Sequence, residues 1–250
     1  MAKQGAGRKA DRVADELLGR IVRGDVEVGS LLPKEAELAT EFGVNRSVIR
    51  EAIKLLEVHR LVKPIRRRGT EVLDPLSSVS PEVLKAMIVP SPGRLNRPIF
   101  ADFLEIRSSM DIQMSTLAGA RRSEGDVSKM KAHLDRLCAA LHDREAYHRE
   151  ADRFVITVAR ATQNRVFPML VWWNQQVAAE LVDVFSTVRP ANEPHLEGVK
   201  LLVDLIARRE VDAIRSLVTA FHEWSTPRLL AAAALSTGQP LESVMKEIRR

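Results

Sequence analysis

Residues 42–56, with the sequence FGVNRSVIREAIKLL, decide the fold of the first part of the chain. Gly43 favours the end of one helix, and the side chain of Asn45 is suited to cap the start of the next. At about 100° per residue, the helix has an apolar side and a polar, cationic side. The apolar side holds Ile49, Ala52, Ile53 and Leu56, and the polar side holds Arg46, Ser47, Arg50, Lys54 and Glu57. The stretch therefore predicts an amphipathic helix over residues 45–58 with arginines near its start.

The flanking residues extend this helix into a recognisable order of elements. Helical spacing of apolar residues predicts helices at 11–23 and 34–42, before the central helix. Two β-prone pieces, 61–65 and 70–73, follow it. The turn between these pieces consists of Arg66, Arg67, Arg68 and Gly69. We therefore expect a winged helix-turn-helix domain over residues 11–75, preceded by a flexible arm at residues 1–10, which are polar and contain glycine.

The rest of the chain indicates an all-α second domain. Prolines and serines over residues 76–98 indicate a linker with one short helix near 81–88. Residues 99–235 are helical almost without interruption and carry no strand pattern, which predicts an antiparallel helical bundle. Six helices are expected, at about 99–121, 124–143, 147–162, 166–188, 195–208 and 211–234. A C-terminal tail over 236–250 is predicted to carry a last helix at 241–249, so the fold class is mostly α.

Composition excludes several classes of protein. The single cysteine, Cys138, cannot form an internal disulfide or a cysteine-rich metal module, which favours a reducing compartment. The longest apolar runs are too short to span a membrane, and the first residues lack the hydrophobic stretch of a signal peptide, so we expect a cytoplasmic protein. The net charge of +5 permits binding to nucleic acid but does not demand it.

The cations of the first domain suit DNA recognition. Arginine side chains in the first turns of a helix can reach base edges in the major groove, where arginine binds guanine through two hydrogen bonds. The arginine-rich turn that ends in Arg68 and Gly69 can reach the flanking backbone or the minor groove. The alternative is that the charged helix face is simply solvated.

The same residues resemble the GntR family of bacterial regulators. The resemblance covers about residues 11–73 and is carried by GSLLPKEAELA at 29–39, by the stretch at 42–56, and by RGTEV at 68–72. It implies that Asn45, Arg46, Ser47 and Arg50 contact operator DNA and that Gly69 is the glycine at the wing tip. Three residues depart from the family pattern: Asn45 replaces serine or threonine, Ala36 replaces an arginine of some members, and Arg60 replaces a glycine.

Residues 99–235 resemble the FadR-type ligand-sensing domain of that family, the FCD domain. Many such domains hold a divalent metal with one aspartate and three histidines. Asp152 and His222 match two of those positions, but Val155 stands at the third and Val199 or Lys200 at the fourth. The resemblance therefore implies no cofactor: a metal held by Asp152 and His222 is disfavoured, because two ligands make a weak site. Scattered histidines are otherwise ordinary surface or interface residues.

An effector without a metal needs protein groups to bind it. Arg107 resembles a position that lines the effector cavity of the family, and its guanidinium can clamp a carboxylate or a phosphate. The alternative is an ion pair with Glu105 or Asp111 on the same helix. The expected effector-binding residues are thus Arg107, Asp152 and His222, and the resemblance suggests a small organic acid.

The expected function is an effector-controlled regulator that binds an inverted-repeat operator as a homodimer and acts as a repressor. The alternatives are a metal-dependent enzyme and a ligand sensor that does not bind DNA. An enzyme needs a nucleophile, a base and an electrophile in one pocket, or a complete metal site. The sequence reveals neither, so no catalytic residue is predicted.

Overall fold

The computed structural model of the protein describes residues 2–91, 94–179, 181 and 192–236. The chain divides into two compact units, an N-terminal unit of residues 1–96 and a helical unit of residues 97–250. The helix predicted at 241–249 and the second half of the helix predicted at 166–188 lie outside the described residues.

The N-terminal unit contains four helices and a two-stranded sheet. In chain order they are α1 (Ala2–Arg23), α2 (Glu35–Glu41), α3 (Arg46–Val58), β1 (Val62–Ile65), β2 (Gly69–Val72), a short 3-10 turn (Pro75–Ser77) and α4 (Pro81–Ile88). The strands pair antiparallel, with Val62 opposite Val72 and Ile65 opposite Gly69. The Gly29 amide adds a hydrogen bond to the Val72 carbonyl, 2.8 Å away.

One apolar core holds this unit together. Leu17 of α1, Leu38 of α2, and Ile49 and Leu56 of α3 are almost completely buried. The predicted division of α3 is confirmed, because Ala52 and Ile53 are buried with Ile49 and Leu56 while the opposite side remains exposed. Burying each large aliphatic side chain contributes about 1.5–3 kcal/mol to folding, so this core fixes which side of α3 faces outward.

Two boundaries differ from the sequence-based expectation. The predicted arm at residues 1–10 is not a separate segment, because α1 begins at Ala2 and Ala10 is buried in the core. The predicted linker at 76–98 also contains part of the fold, because Val83 of α4 joins the same core and Met87 packs against it. The Ser78 hydroxyl donates to the His59 carbonyl at 2.7 Å, which fastens the segment before α4 to the end of α3.

The helical unit consists of six described helices. They are α5 (Arg97–Arg121), α6 (Glu124–Ala139), α7 (Arg144–Ala161), α8 (Phe167–Ala179), α9 (Asn192–Arg208) and α10 (Val211–Ser236). Met130, Leu137, Phe154 and Ile206 lie in their shared core. Gly119 lets α5 and α10 approach closely, since a Cβ atom there would lie 2.3 Å from Ile214 Cδ1.

The predicted fold class, a winged helix-turn-helix followed by an all-α bundle, is confirmed. Within the described ranges, none of the helices combines the length and hydropathy of a bilayer-spanning segment.

Candidate nucleic-acid interface and effector site

The start of α3 is fixed by its own side chains. The Asn45 side-chain oxygen accepts a hydrogen bond from the Val48 amide at 3.0 Å, which makes Asn45 the N-cap. The Ser47 hydroxyl donates to that same oxygen at 2.8 Å. Asn45 and Ser47 are both exposed, so they can touch a ligand, but their hydrogen bonds already serve to hold the first turn.

Two arginines project from the outer side of α3. Arg46 is exposed and makes no ion pair or side-chain hydrogen bond with any residue that the structure describes. Arg50 is also exposed, and its Nε atom lies 2.8 Å from Glu35 Oε2 at the start of α2. An exposed pair of this kind contributes about 0–1 kcal/mol, so a stronger anion can displace Glu35.

The turn between β1 and β2 forms a cationic tip. Arg66, Arg67 and Arg68 are exposed, and none of them has an acidic partner among the described residues. The Arg68 amide donates to the Ile65 carbonyl at 3.1 Å, and Arg67 adopts a left-handed backbone with φ of 63°. Gly69 has φ of 131°, which a residue with a side chain rarely adopts, so glycine is required at this corner.

These two features give the N-terminal unit a surface suited to a polyanion. A capped helix with an unpaired arginine in its first turn matches the geometry of a major-groove reader. An arginine-rich hairpin matches a contact with the DNA backbone or minor groove. Both features lie in one compact unit, on exposed positions that the core of that unit fixes.

In the helical unit, two of the three expected effector residues meet at one carboxylate. His222 of α10 is buried, and its Nε2 atom lies 3.2 Å from Asp111 Oδ2 of α5. The Nε atom of Arg107 lies 3.8 Å from the same oxygen. Arg107 thus forms the ion pair with Asp111 that the sequence left open, but the contact is long and leaves the guanidinium partly exposed.

The third expected residue, Asp152, lies on α7 with its side chain exposed, and its carbonyl accepts a hydrogen bond from Gln175 at 2.9 Å. The residues present do not fit a bound metal. Val199 is buried in the apolar core and Val155 packs against it, where the family resemblance calls for histidines. Within the described part of the chain, no group of three or more His, Cys, Asp and Glu side chains is arranged to hold a metal ion.

A buried polar cluster between α6 and α7 was not foreseen from the sequence. His133 Nδ1 lies 2.6 Å from Glu150 Oε1, and His133 Nε2 lies 2.8 Å from Thr157 Oγ1. Arg136 Nε donates to the same Glu150 oxygen at 2.5 Å. Burial acts to raise the pKa of Glu150, but hydrogen bonds from Arg136 and His133 outweigh it and lower that pKa overall.

A second buried contact joins α7 to α9. Tyr147 is almost completely buried, and its hydroxyl lies 2.8 Å from His195 Nδ1 and donates to the Asn192 carbonyl at 3.2 Å. Burial raises the pKa of the Tyr147 phenol to about 12. His195 is therefore engaged with Tyr147 through Nδ1.

Comparison with protein families matches both units. The model for "Bacterial regulatory proteins, gntR family" matches residues 9–72, and the model for the FCD domain matches residues 102–223. The first range contains the exposed arginines of α3 and of the hairpin, and the second contains Arg107, Asp111 and His222.

Individual relatives extend over most of the chain. It is 27% identical to the galactonate operon transcriptional repressor of Escherichia coli over 224 residues, which cover 88% of this chain and 96% of the relative. It is 28% identical to a putative L-lactate dehydrogenase operon regulatory protein of Escherichia coli over 166 residues, 64% of this chain and 60% of the relative.

The fold also has a counterpart among solved structures. Lar, which controls the expression of the Listeria monocytogenes agr system, superposes with a TM-score of 0.57 and 20% identity, over 90% of this chain and 96% of the other. At this identity the likeness concerns the fold alone.

Proposed function

We propose that this chain, which belongs to the gntR family of bacterial regulatory proteins and carries an FCD domain, is a repressor whose affinity for operator DNA is changed by a small organic acid. Membership of the family makes the chain a DNA-binding transcriptional regulator and not an enzyme. The single observation that carries the DNA-binding part is the capped α3 with Arg46 unpaired in its first turn, beside the cationic hairpin of the same unit.

We propose distinct tasks for the residues of the N-terminal unit. Arg46 and Arg50 reach base edges, because their guanidinium groups are exposed on the outer side of α3. Asn45 and Ser47 hold the first turn and contact the adjacent phosphate. Arg68 binds the backbone or minor groove, while Gly69 lets the hairpin turn, so an Arg68→Ala change lowers affinity for all sequences alike.

The proposed effector site centres on Arg107 and His222. A carboxylate ligand can form two parallel hydrogen bonds with Arg107, which its long contact with Asp111 leaves free to rearrange. His222 is already held against Asp111. Asp152 of α7 is included in the proposed set because of the family resemblance, and its side chain is exposed. Ligand binding then favours one arrangement of the chain and changes operator affinity by coupling between the two sites.

The names of two relatives support the repressor role and the class of effector. One is named as a repressor of a galactonate operon, and the other as a putative regulatory protein of an L-lactate dehydrogenase operon. Galactonate and lactate both carry a carboxylate, a group that arginine can bind through two parallel hydrogen bonds. A thermal-shift titration with D-galactonate and L-lactate tests the site, because Arg107→Ala should abolish any stabilisation that the native protein shows.

We further propose that the protein works as a cytoplasmic homodimer on an inverted repeat. One helix in the major groove reads only a few base pairs, and a two-fold partner doubles the site. Dimerisation through the helical unit leaves both copies of α3 available for the two half-sites. A fragment of residues 77–250 loses the core partners of α4, so sedimentation of the full chain is the sharper test of dimerisation.

Fluorescence anisotropy with duplex DNA from upstream of the protein's own gene tests the DNA-binding proposal. Binding should weaken steeply with salt, with a log–log slope of about 0.9 per phosphate contact. Unchanged binding by both Arg46→Ala and Arg50→Ala would exclude α3 as the reading helix.

Elemental analysis of protein purified without chelator tests the proposed absence of a tightly held metal. Two of four expected ligands are valine or lysine, so we expect no stoichiometric Zn, Ni or Mn. Near-stoichiometric metal that disappears in an Asp152→Ala variant would overturn this prediction.

A further inference from the structure

The outer side of α8 carries side chains at the spacing of a helix–helix seam. Met169, Trp172, Gln176 and Ala179 are all exposed and follow one another at intervals of three, four and three residues. Met169 is 67% exposed and Trp172 is 57% exposed, which is unusual for such large apolar side chains. Alternating steps of three and four residues keep the side chains on one stripe, which is the pattern of helices that pack along their length.

The other side of α8 is already occupied within the chain. Val171 and Val177 are buried, and the Asn174 side chain donates to the Leu170 carbonyl at 3.2 Å and to Met110 Sδ at 3.4 Å. Trp173 lies beside Phe103 of α5, with 6.4 Å between ring centroids. The helix therefore has a fixed orientation, and the exposed stripe is not a consequence of a loosely packed helix.

The charge of this helix is also unusual for a solvent-facing element. Residues 166–179, VFPMLVWWNQQVAA, contain no Asp, Glu, Lys, Arg or His. The exposed side of α7 shows the ordinary pattern, with Arg149 paired to Glu145. An uncharged stripe can be buried against a partner without leaving an unpaired charge out of water.

We propose that a second copy of this chain packs on this stripe, α8 against α8, where the stripe is Met169, Trp172, Gln176 and Ala179. The proposal rests on the homodimer proposed above and assigns its interface. Side chains at a two-fold axis face their own copies, so a charge at the centre of such an interface meets a like charge. The α8 stripe avoids this penalty, and the amide of Gln176 can both donate to and accept from its counterpart.

The competing surface on α10 lacks this self-complementarity. Phe221 and Trp224 are 44% and 42% exposed, but the Arg228 guanidinium lies 4.5 Å from the centre of the Trp224 ring. A two-fold axis centred on Trp224 would bring the two copies of Arg228 together. Both surfaces expose aromatic side chains, so apolar exposure alone does not favour one of them as the dimer interface. The charge of Arg228 disfavours the α10 surface.

Sedimentation velocity of the full chain tests the assignment. Met169→Glu/Trp172→Glu should raise the dimer dissociation constant on the order of 100-fold or more, because it buries like charges against each other. The matched control is Trp224→Glu, the same substitution on α10, which should leave the dimer intact. Far-ultraviolet circular dichroism should show both variants folded, since the substituted side chains are exposed.

A charge-pairing experiment makes the test independent of folding. One variant carries Met169→Glu and Gln176→Glu, the other Met169→Lys and Gln176→Lys; each alone should be monomeric, and the mixture should form a one-to-one dimer. Three outcomes would overturn the α8 interface while leaving the homodimer in place. They are a dimer that survives Met169→Glu/Trp172→Glu, a dimer that dissociates with Trp224→Glu, and a mixture that forms no dimer. A monomeric native protein would instead overturn the homodimer itself.

Discussion

The two units place their charged groups in opposite ways. In the N-terminal unit, Arg46 and the hairpin arginines are exposed and have no acidic partner among the described residues. In the helical unit, His133 and Glu150 are buried against each other, and His222 is held against Asp111. The first arrangement leaves cations open for an external polyanion. The second uses charge to connect helices within the unit.

This difference indicates where each kind of substitution acts. Removing an open cation changes binding to DNA and leaves folding nearly unchanged, since an exposed side chain contributes little to stability. Removing one member of a buried pair leaves the other without compensation and lowers stability strongly. The following predictions test that contrast, from the largest expected effect to the smallest.

The largest effect should come from Glu150→Ala. The variant removes the acceptor shared by His133 and Arg136, and we expect the free energy of unfolding to fall by about 2–4 kcal/mol. Partial exposure of Arg136 keeps the loss below that of a fully buried pair. Urea unfolding followed by tryptophan fluorescence reports this unit selectively, because Trp172, Trp173 and Trp224 all lie in it.

The control for this prediction is Glu145→Ala, which removes an exposed partner of Arg149 on the same helix and should cost less than about 1 kcal/mol. Equal losses from both variants would contradict the contrast.

The pH dependence of the free energy of unfolding gives a second test of the Glu150 contact. The pKa of Glu150 is lowered by folding from its ordinary value of 4.5, so its stabilisation is complete above that pH and is lost as the pH falls through the lower, folded value. Glu150→Gln should flatten the decline below pH 4.5.

The next effect concerns DNA affinity. Arg46→Ala should weaken binding to a cognate duplex by about 1–3 kcal/mol if the side chain reads a base, while urea unfolding of the whole chain, followed by far-ultraviolet circular dichroism, stays unchanged. Lys131→Ala, an exposed cation on α6, serves as the control and should leave binding unaffected. Anisotropy titrations at one salt concentration measure the DNA affinity of both variants. A lower unfolding free energy for Arg46→Ala would contradict the interpretation of Arg46 as an open cation.

A smaller effect is expected at Tyr147. Replacing it with phenylalanine keeps the ring but removes its hydroxyl, at a cost of about 1 kcal/mol. Since Tyr147 is the only tyrosine in the chain, phenolate absorbance reads it alone and should titrate near 12 in the folded protein. Unfolding in urea should return that pKa to its ordinary 10.0, so stability falls as the pH rises between these values. An ordinary pKa in the folded state would show that the phenol is solvated.

The smallest effect should be that of Glu35→Gln. The Glu35 carboxylate lies 2.8 Å from Arg50 Nε and competes with DNA for that cation, so the Glu35→Gln variant should bind DNA more tightly by less than about 1 kcal/mol. Anisotropy at low salt is the measurement, and Glu51→Gln, which pairs with Lys54 on α3, is the control. Weaker binding by Glu35→Gln would show that Glu35 instead orients Arg50 for reading.

The fold was predictable because local signals agreed with the packing. The Asn45 cap, the apolar side of α3 and the prolines around α4 each depend on residues close in sequence. The limits of the N-terminal unit were missed at both ends, because Ala10 and Val83 are buried by residues far along the chain. Periodicity indicates that a side can be buried, but not which distant element covers it.

The site residues also differ in how far the sequence could predict them. The exposed arginines were visible from the sequence, because an outward position on an amphipathic helix follows from its spacing. The Glu150 cluster was not visible, since His133 and Glu150 come from different helices and meet only after α6 packs against α7. The i, i+4 spacing of Arg107 and Asp111 did signal their ion pair, whereas the approach of His222 from α10 had no local signal.

The attachment of α4 to the core of the N-terminal unit bears on how such regulators are recombined in evolution and in the laboratory. A fusion that cuts the chain after the hairpin, near Leu73, would remove Val83 from the core and Met87 from its edge. It would also remove the Ser78 hydroxyl that bonds to the His59 carbonyl. The transferable module is therefore the DNA-reading domain together with α4, and chimaeras joined after Asn96 should keep a stable reader where shorter ones lose it.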